Sequence, residues 1–301
     1  MSVKLSLVIP CYNEQDNVEN VFHHVKNGLE SYTDSYEIVF VNDGSSDKTE
    51  KKLKKLFDEN PGSRITVIGF SRNFGKEAAM YAGLSHAKGE YTVIFDADLQ
   101  QDISYVVKMA QILDNDEDAH MVAAYQEKRK EGKFITLCKE GFYKFINKVT
   151  DVPFVENASD FRMMRRTVLE SVLSLSEYHR FSKGIFSWVG YNTVSIPYEV
   201  KEREAGETKW NFKKLLKYAL EGMMAYTDLP LKLPLYFAAF MAVLSVVFAF
   251  ISLVCSAVFF VGALVLLSLG ILGAYLGKIH TQVKNRPIYI AKEILSYDKQ
   301  S

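Results

Sequence analysis

Tyr91-Thr92-Val93-Ile94-Phe95-Asp96-Ala97-Asp98-Leu99-Gln100 is the stretch on which the reading of this chain turns. Its first five residues, β-branched and aromatic, read as a buried strand. The chain then leaves the apolar run and presents two carboxylates two residues apart, with a carboxamide two further on. In an open α/β sheet, ligands gather at the carboxyl ends of the strands, where Asp96, Asp98 and Gln100 would lie. Hard divalent cations take oxygen ligands, and Mg²⁺ is typically held by one or two carboxylates plus substrate phosphates. The three residues are therefore candidates for a metal that grips a diphosphate. A polar turn closing a strand is the other reading of the same residues, and the surrounding chain has to decide between them.

Working outward, apolar runs alternate with amphipathic ones from Val3 to Tyr125. Strands are expected at Leu5–Ile9, Tyr36–Val41, Ile65–Phe70, Tyr91–Phe95 and His120–Ala124. Helices are expected at Glu14–Leu29, Lys48–Phe57, Lys76–Ala87 and Ile103–Leu113, the second opened by a capping box of Asp47 and Glu50. This alternation implies a Rossmann-like α/β fold, a mostly parallel sheet with helices on both faces. Polar clusters follow successive strands: Pro10-Cys11-Tyr12-Asn13-Glu14, Asn42-Asp43-Gly44-Ser45, and Arg72-Asn73-Phe74-Gly75-Lys76. Each alone is turn chemistry; in register on one sheet edge they make a site. Neither a Gly-x-Gly-x-x-Gly nor a Gly-x4-Gly-Lys-Ser/Thr run occurs, which argues against the usual dinucleotide fold and against a phosphate-binding loop.

The 301 residues suffice for one large domain or two smaller ones, and 36 basic against 36 acidic side chains leave no global charge to point at nucleic acid. Three scattered cysteines, Cys11, Cys138 and Cys255, fit no metal spacing and suit a reducing compartment. No signal peptide precedes the first strand, so the start of the chain is expected in the cytoplasm. Between Lys232 and Lys278 no residue is charged, a stretch longer than one membrane span of ~20 residues and close to two with a tight turn. Lys213, Lys214, Lys217 and Lys232 precede it; Lys278, Lys284 and Arg286 follow. Basic flanks at both ends put both ends on the cytoplasmic side.

The strand-end clusters, with Ser159-Asp160-Phe161-Arg162, Glu202-Arg203-Glu204-Ala205-Gly206-Glu207-Thr208-Lys209 and Val283-Lys284-Asn285-Arg286-Pro287, resemble the inverting glycosyltransferases of family 2. The likeness is greatest to the polyprenyl-phosphate glycosyltransferases, relatives of dolichyl-phosphate mannose synthase and bactoprenol glucosyltransferase. It implies a GT-A fold and a role for each motif. Pro10, Tyr12, Glu14, Asp43, Arg72, Lys76, Asp96 and Lys209 would bind the nucleotide sugar, with Asp43 taking the base. Asp96, Asp98 and Gln100 would hold Mg²⁺ or Mn²⁺. Asp160, Asp98 and Arg203 would be catalytic, Asp160 beside the reacting centre and Arg203, with Lys209, closing over the phosphates. Gln126 stands where many members have an arginine that contacts the acceptor phosphate, leaving Lys128, Arg129 and Lys139 as the nearest candidates for that contact.

The same resemblance implies a UDP-hexose donor, glucose or N-acetylglucosamine first, and a polyprenyl phosphate acceptor in the inner membrane. GDP-mannose is the alternative donor. A homo-oligomer, with a tetramer plausible, a flippase and a downstream glycosyltransferase are the implied partners. Rival readings are a phosphatase of haloacid dehalogenase type, against which Leu99-Gln100 counts, and a membrane-anchored scaffold without activity. The expected division is a catalytic domain over 1–209, a juxtamembrane amphipathic helix over 210–232, a two-helix transmembrane hairpin over 233–279 and a cytoplasmic tail over 280–301. Basic and aromatic residues interleave in Gln126–Val149, and Phe212, Leu215, Leu216, Ala219, Leu220 and Met223 share one helix face. Both stretches read as membrane-surface contacts, the first also as a solvated helix and the second as one packed on the catalytic domain.

Overall fold

The computed structural model describes residues 3–29, 32–126, 158–178, 180–199 and 254–299. In chain order these form β1 (Leu5–Cys11), α1 (Val18–Leu29), β2 (Tyr36–Asn42), α2 (Thr49–Glu59), β3 (Ile65–Phe70), α3 (Lys76–His86), β4 (Tyr91–Ile94), α4 (Ile103–Asn115) and β5 (Met121–Gln126). Then follow β6 (Ala158–Arg165), α5 (Arg166–Ser174), α6 (Ser182–Trp188), β7 (Thr193–Tyr198), α7 (Val254–Val283) and β8 (Ala291–Ser296). Every strand and helix expected before residue 126 is present, with ends shifted by a few residues. The membrane-surface helices expected within Gln126–Val149 and Trp210–Met224 lie outside the described residues, as do Lys128, Arg129, Lys139, Arg203 and Lys209.

Among the described residues, eight strands make one sheet in the order β7-β5-β6-β4-β1-β2-β3-β8. β1 pairs in parallel with β2 and β4, and β2 with β3. β5 pairs in parallel with β7. Two strands depart from the mostly parallel expectation: β6 enters antiparallel between β4 and β5, and β8 closes the far edge antiparallel to β3. Both come from beyond residue 126, where the βαβα alternation that calls for parallel crossovers stops. The last strand comes from residues read as a tail.

Strand alternation sends Leu5, Leu7 and Ile9 into a layer with α1, α2 and α4, and Val8 into the opposite layer with α3, α5 and α6. With both faces covered, the central strands are continuous apolar runs. The polar exceptions are tied down: Glu37, buried, accepts from Ser6 Oγ at 2.5 Å, Lys88 N at 2.6 Å and Tyr297 Oη at 3.0 Å. Thus one carboxylate of β2 holds β1, the turn before β4 and the segment after β8. The Asp47–Glu50 capping box does not form. Asp47 instead accepts from Thr49 N at 2.9 Å and Gln15 N at 3.3 Å, while Glu50 meets Lys54 and Lys292. The helix begins at Thr49, too late for Asp47 to be its cap.

α7 runs for 30 residues. Over residues with described side chains, no helix is long and apolar enough to cross a membrane. The first half of the hairpin expected over 233–279 lies outside the described residues.

Candidate active site

The strand-end clusters converge on one edge of the sheet. β4 stops at Ile94, and the buried Phe95 is wedged between His24 and Phe161. The next residues turn sharply, with Leu99 at φ +57° and Gln100 N donating to Asp98 Oδ1 at 3.2 Å. Gln101, itself buried, locks the turn reciprocally: its Oε1 accepts from Asp96 N at 3.0 Å and its Nε2 donates to Asp96 Oδ2 at 2.9 Å. Asp102 then caps α4 by accepting from Ser104 N at 2.9 Å.

Asp96's other oxygen lies 2.8 Å from Lys76 Nζ, and the same ammonium lies 3.2 Å from Asp160 Oδ2. Lys76 is the first residue of α3, delivered by the Asn73–Gly75 turn, in which Gly75 has φ +97°. Asp43 builds that turn. Its carboxylate accepts from Phe74 N at 2.7 Å, Gly75 N at 3.0 Å and Asn73 Nδ2 at 3.0 Å. Burial raises the Asp43 carboxyl above its ordinary value, opposed by the Phe74 and Gly75 N–H groups and the Arg72 charge. The resemblance implies that Asp43 takes the base, and its carboxylate lies beneath the loop that carries Lys76. Gly44 is required beside it: at φ +60°, a Cβ would stand 2.2 Å from the Arg72 carbonyl carbon.

Asp160 is on β6, at the level where β4 gives way to Asp96, since Arg162 pairs with Ile94. Burial pushes its carboxyl up, but the charges of Lys76, Lys183 and Arg162 outweigh this and hold it below its ordinary value. Its Oδ1 is buried and accepts no hydrogen bond among the described residues. Beside it, Gln126 Nε2 donates to Tyr198 Oη at 3.1 Å, and that hydroxyl reaches Ser159 Oγ at 3.4 Å.

The β1 loop forms the flank. Asn13, at φ +54°, is stitched to the β2 loop by Ser45 Oγ and Ser46 N, each at 2.9 Å. Glu14 accepts from Asn17 Nδ2 at 2.8 Å. Pro10 is in β1, and Tyr12 stands exposed at 38%. Arg72 lays its guanidinium over the Phe74 ring at 4.0 Å. The structure thus brings Asp96, Asp160 and Lys76 into contact, keeps Asp98 and Gln100 in the adjoining turn, and sets Asp43 one layer behind.

Two groups have no counterpart in the sequence reading. Gln101 is the clamp on Asp96. Lys183, on α6, is brought near the charge of Asp160 where Ser182 is fixed to Glu77, the residue after Lys76, through its N–H and hydroxyl. That contact joins stretches more than a hundred residues apart, and nothing in their spacing announces it.

A metal here fits the donor set in part. Asp96 is occupied by Lys76 and Gln101, Asp98 offers hard carboxylate oxygen, and among the described residues no three His, Cys, Asp or Glu side chains cluster. Two carboxylates short of a full cage are what Mg²⁺ accepts when substrate phosphates complete its shell.

Comparison with known proteins agrees with this architecture. Residues 6–173 match the family model described as glycosyl transferase family 2. The glycosyltransferase CsbB of Bacillus subtilis (strain 168) is 38% identical, covering 96% of this chain and 91% of its own length. The bactoprenol glucosyl transferase of Shigella phage SfII is 35% identical, over 97% of this chain and 98% of its own. The crystal structure of mannosyl-3-phosphoglycerate synthase from Rubrobacter xylanophilus superposes with a TM-score of 0.50 at 15% identity, covering 74% of this chain and 72% of that one. The mixed sheet is accordingly GT-A-like, and the chain is an enzyme that belongs to glycosyl transferase family 2.

Proposed function

We propose that this enzyme moves a hexose, glucose or N-acetylglucosamine, from a UDP-sugar to a polyprenyl phosphate, with inversion at the sugar carbon. The observation that carries the reading is the meeting of Asp96 and Asp160 on Lys76 at the carboxyl edge of the sheet. It gives one point where a diphosphate and a reacting sugar can be held together. The near full-length likeness to a protein named bactoprenol glucosyl transferase supports the acceptor class. GDP-mannose as donor is the second outcome of the same assay.

In the reaction, an acceptor phosphate oxygen forms a bond to the anomeric carbon. The carbon's bond to the diphosphate breaks, and its electron pair leaves with the nucleotide. A divalent cation, Mg²⁺ or Mn²⁺, held by Asp98 and Asp96, would supply Lewis-acid stabilisation of the leaving charge. Lys76 contributes a fixed positive charge at the same place without reorganising. A phosphate monoester with its second pKa near 6 is largely ionised at neutral pH, so Asp160 has little proton to remove. Its ionised carboxylate orients the acceptor and stabilises positive charge developing on the sugar carbon.

The proposed location is the cytoplasmic face of the inner membrane, with a two-span hairpin. Val261, Val265, Leu269, Leu272, Leu276 and Ile279 of α7 are about half exposed in the isolated chain, and a helix apolar all round is stable when lipid or protein covers it. β8, which follows α7, pairs with β3. Both sides of the apolar region thus belong to one sheet, which supports an even number of crossings. The product would then be flipped and consumed by a second glycosyltransferase on the other face.

The deciding experiment is an assay of purified protein with undecaprenyl phosphate and a panel of labelled nucleotide sugars. Formation of a lipid-linked phosphodiester sugar from one UDP-hexose is expected; hydrolysis with no lipid product would refute the acceptor.

A further inference from the structure

α6 presents a cation that the reaction described above leaves without work. Ser182 N–H and hydroxyl are taken by Glu77, with the N–H at 3.1 Å. One turn on, the Phe186 ring lies under the Arg162 guanidinium at 4.2 Å, and Arg162 Nη2 donates to Ser159 O at 2.8 Å. These two anchors fix the orientation of Lys183. Its half-buried side chain lies in the field of Asp160 and Glu77, with Arg162 and Lys76 as like charges. Both carboxylates are already engaged, Glu77 by Ser182 and Asp160 by Lys76 at 3.2 Å. Among the described residues Lys183 Nζ makes no ion pair of its own. Burial holds its pKa below the ordinary lysine value, and the Asp160 charge opposes that. A partly desolvated ammonium without a close counter-ion is a site for an anion.

The side from which Lys183 arrives selects the anion. Ile185 and Phe186 of α6 pack in the layer of α3 and α5, whereas Ala97, Leu99 and Ile103, around the Asp98 turn, pack in the opposite layer. α6 and the Asp98 turn are therefore rooted in opposite layers of the sheet, and Lys76, rooted in the same layer as α6, spans from Asp160 to Asp96. An inverting displacement puts the leaving diphosphate and the entering phosphate on opposite sides of the sugar carbon.

We propose that Lys183 is the acceptor-side cation, binding the phosphate monoester of the incoming lipid and holding it beside Asp160. This rests on the polyprenyl-phosphate reading of the function. The charge-assisted bond to a dianion offsets the burial of the ammonium and supplies part of the acceptor's affinity. On the other side of Asp160 the described polar chain of Gln126, Tyr198 and Ser159 is uncharged, so it does not duplicate that role.

The test uses the full chain in detergent with undecaprenyl phosphate, comparing wild type, Lys183→Met and Lys183→Arg. Loss of one charge-assisted bond is expected to raise the KM for the lipid phosphate about 10- to 100-fold in Lys183→Met. Lys183→Arg should restore most of it. UDP affinity, measured by calorimetry on the same preparations, should stay within about twofold, since the Asp98 turn proposed to hold the metal and diphosphate is rooted in the opposite layer. Lys183→Gln gives the same readout where methionine is not tolerated at this half-buried position. An unchanged KM overturns the assignment, and so does an equal loss of UDP affinity, which would move Lys183 to the donor diphosphate. If the wild type itself transfers to no polyprenyl phosphate, the functional reading falls and this assignment falls with it. Wild-type transfer with an unaltered variant KM overturns the assignment alone.

Discussion

Lys76 joins Asp96, where the turn that carries Asp98 begins, to Asp160, and the two sides of that pairing have different duties. Asp98 supplies hard oxygen toward the diphosphate in the proposed site. Asp98→Ala is expected to lower turnover by more than ~10²-fold, the scale of one lost electrostatic stabiliser, measured with saturating nucleotide sugar and metal. Asp160→Asn removes a charge that faces the sugar carbon. Its turnover should fall while UDP binding by calorimetry is retained; loss of binding would move Asp160 to the nucleotide. The pH dependence follows from sign. Lys76, Lys183 and Arg162 hold Asp160 below the ordinary carboxylate value against the opposing effect of burial. It is therefore already ionised at neutral pH, and the stability its charge contributes is lost only as the pH falls through that lowered value. With the acceptor phosphate also ionised, the rate should be flat between about pH 6.5 and 8.5. A rate rising tenfold per unit across that window would restore Asp160 as a proton acceptor. For Asp43, replacement by Asn substitutes an amide N–H₂ for an oxygen that accepts from Gly75 and Asn73. One buried donor is then left unpaired, costing about 1–3 kcal/mol, read as a lowered melting temperature together with weakened UDP binding.

At the scale of elements, the capped helix α4 gives a plain test. Asp102→Ala removes the acceptor of Ser104 N–H and should cost about 1 kcal/mol, measured by denaturant titration of whatever unit unfolds cooperatively. The β1 to β5 half of the sheet was legible because its runs alternate with amphipathic helices and its strand ends carry short polar signals. The rest was not, for identifiable reasons. β6 reads Ala-Ser-Asp-Phe-Arg-Met-Met-Arg, with Arg162 and Arg165 interrupting the apolar run. Those arginines are satisfied by tertiary partners, Arg162 on the Phe186 ring and Arg165 on the carbonyls of Ala119 and Leu113. β8 reads Ala-Lys-Glu-Ile-Leu-Ser, an edge strand whose Glu293 pairs with Lys54 of α2 at 2.6 Å. Its charges make it look like solvated tail, and they are also what an edge strand needs to avoid pairing with another chain. In the site, Asp96, Asp98 and Asp160 were visible as motifs. Gln101 and Lys183 were not, because their roles depend on a reciprocal clamp and on a helix anchored more than a hundred residues away in sequence.

For the whole molecule, the sheet constrains how the apolar region is threaded. Residues before and after it share β-sheet pairing through β3 and β8. Reporter fusions at Ser2 and Ser301 should therefore both report the same face, the cytoplasmic one in the proposed topology. A C-terminal reporter on the outer face would imply an odd number of crossings, which is incompatible with β8 in the sheet of the same molecule. The link is reinforced by Lys88 with Asp298 and by Tyr297 on Glu37. The α7 end is held as well, since Gln282 bonds to Ser176 O and Tyr178 N. Glu37→Leu should loosen this attachment without touching the Lys76 cluster, seen as faster hydrogen exchange at β8 with UDP affinity preserved.

That last strand also imposes an order in time. During synthesis β3 emerges early, but its free edge finds β8 only after α7 has left the ribosome. At ~5–20 residues per second the wait is on the order of tens of seconds. Throughout that interval the sheet carries an open ladder of N–H and C=O groups, a template for pairing with a neighbouring nascent chain. The apolar helix is thus committed to its surroundings before the catalytic sheet is sealed, and a polypeptide released early, short of residue 291, is an aggregation hazard rather than a folded enzyme.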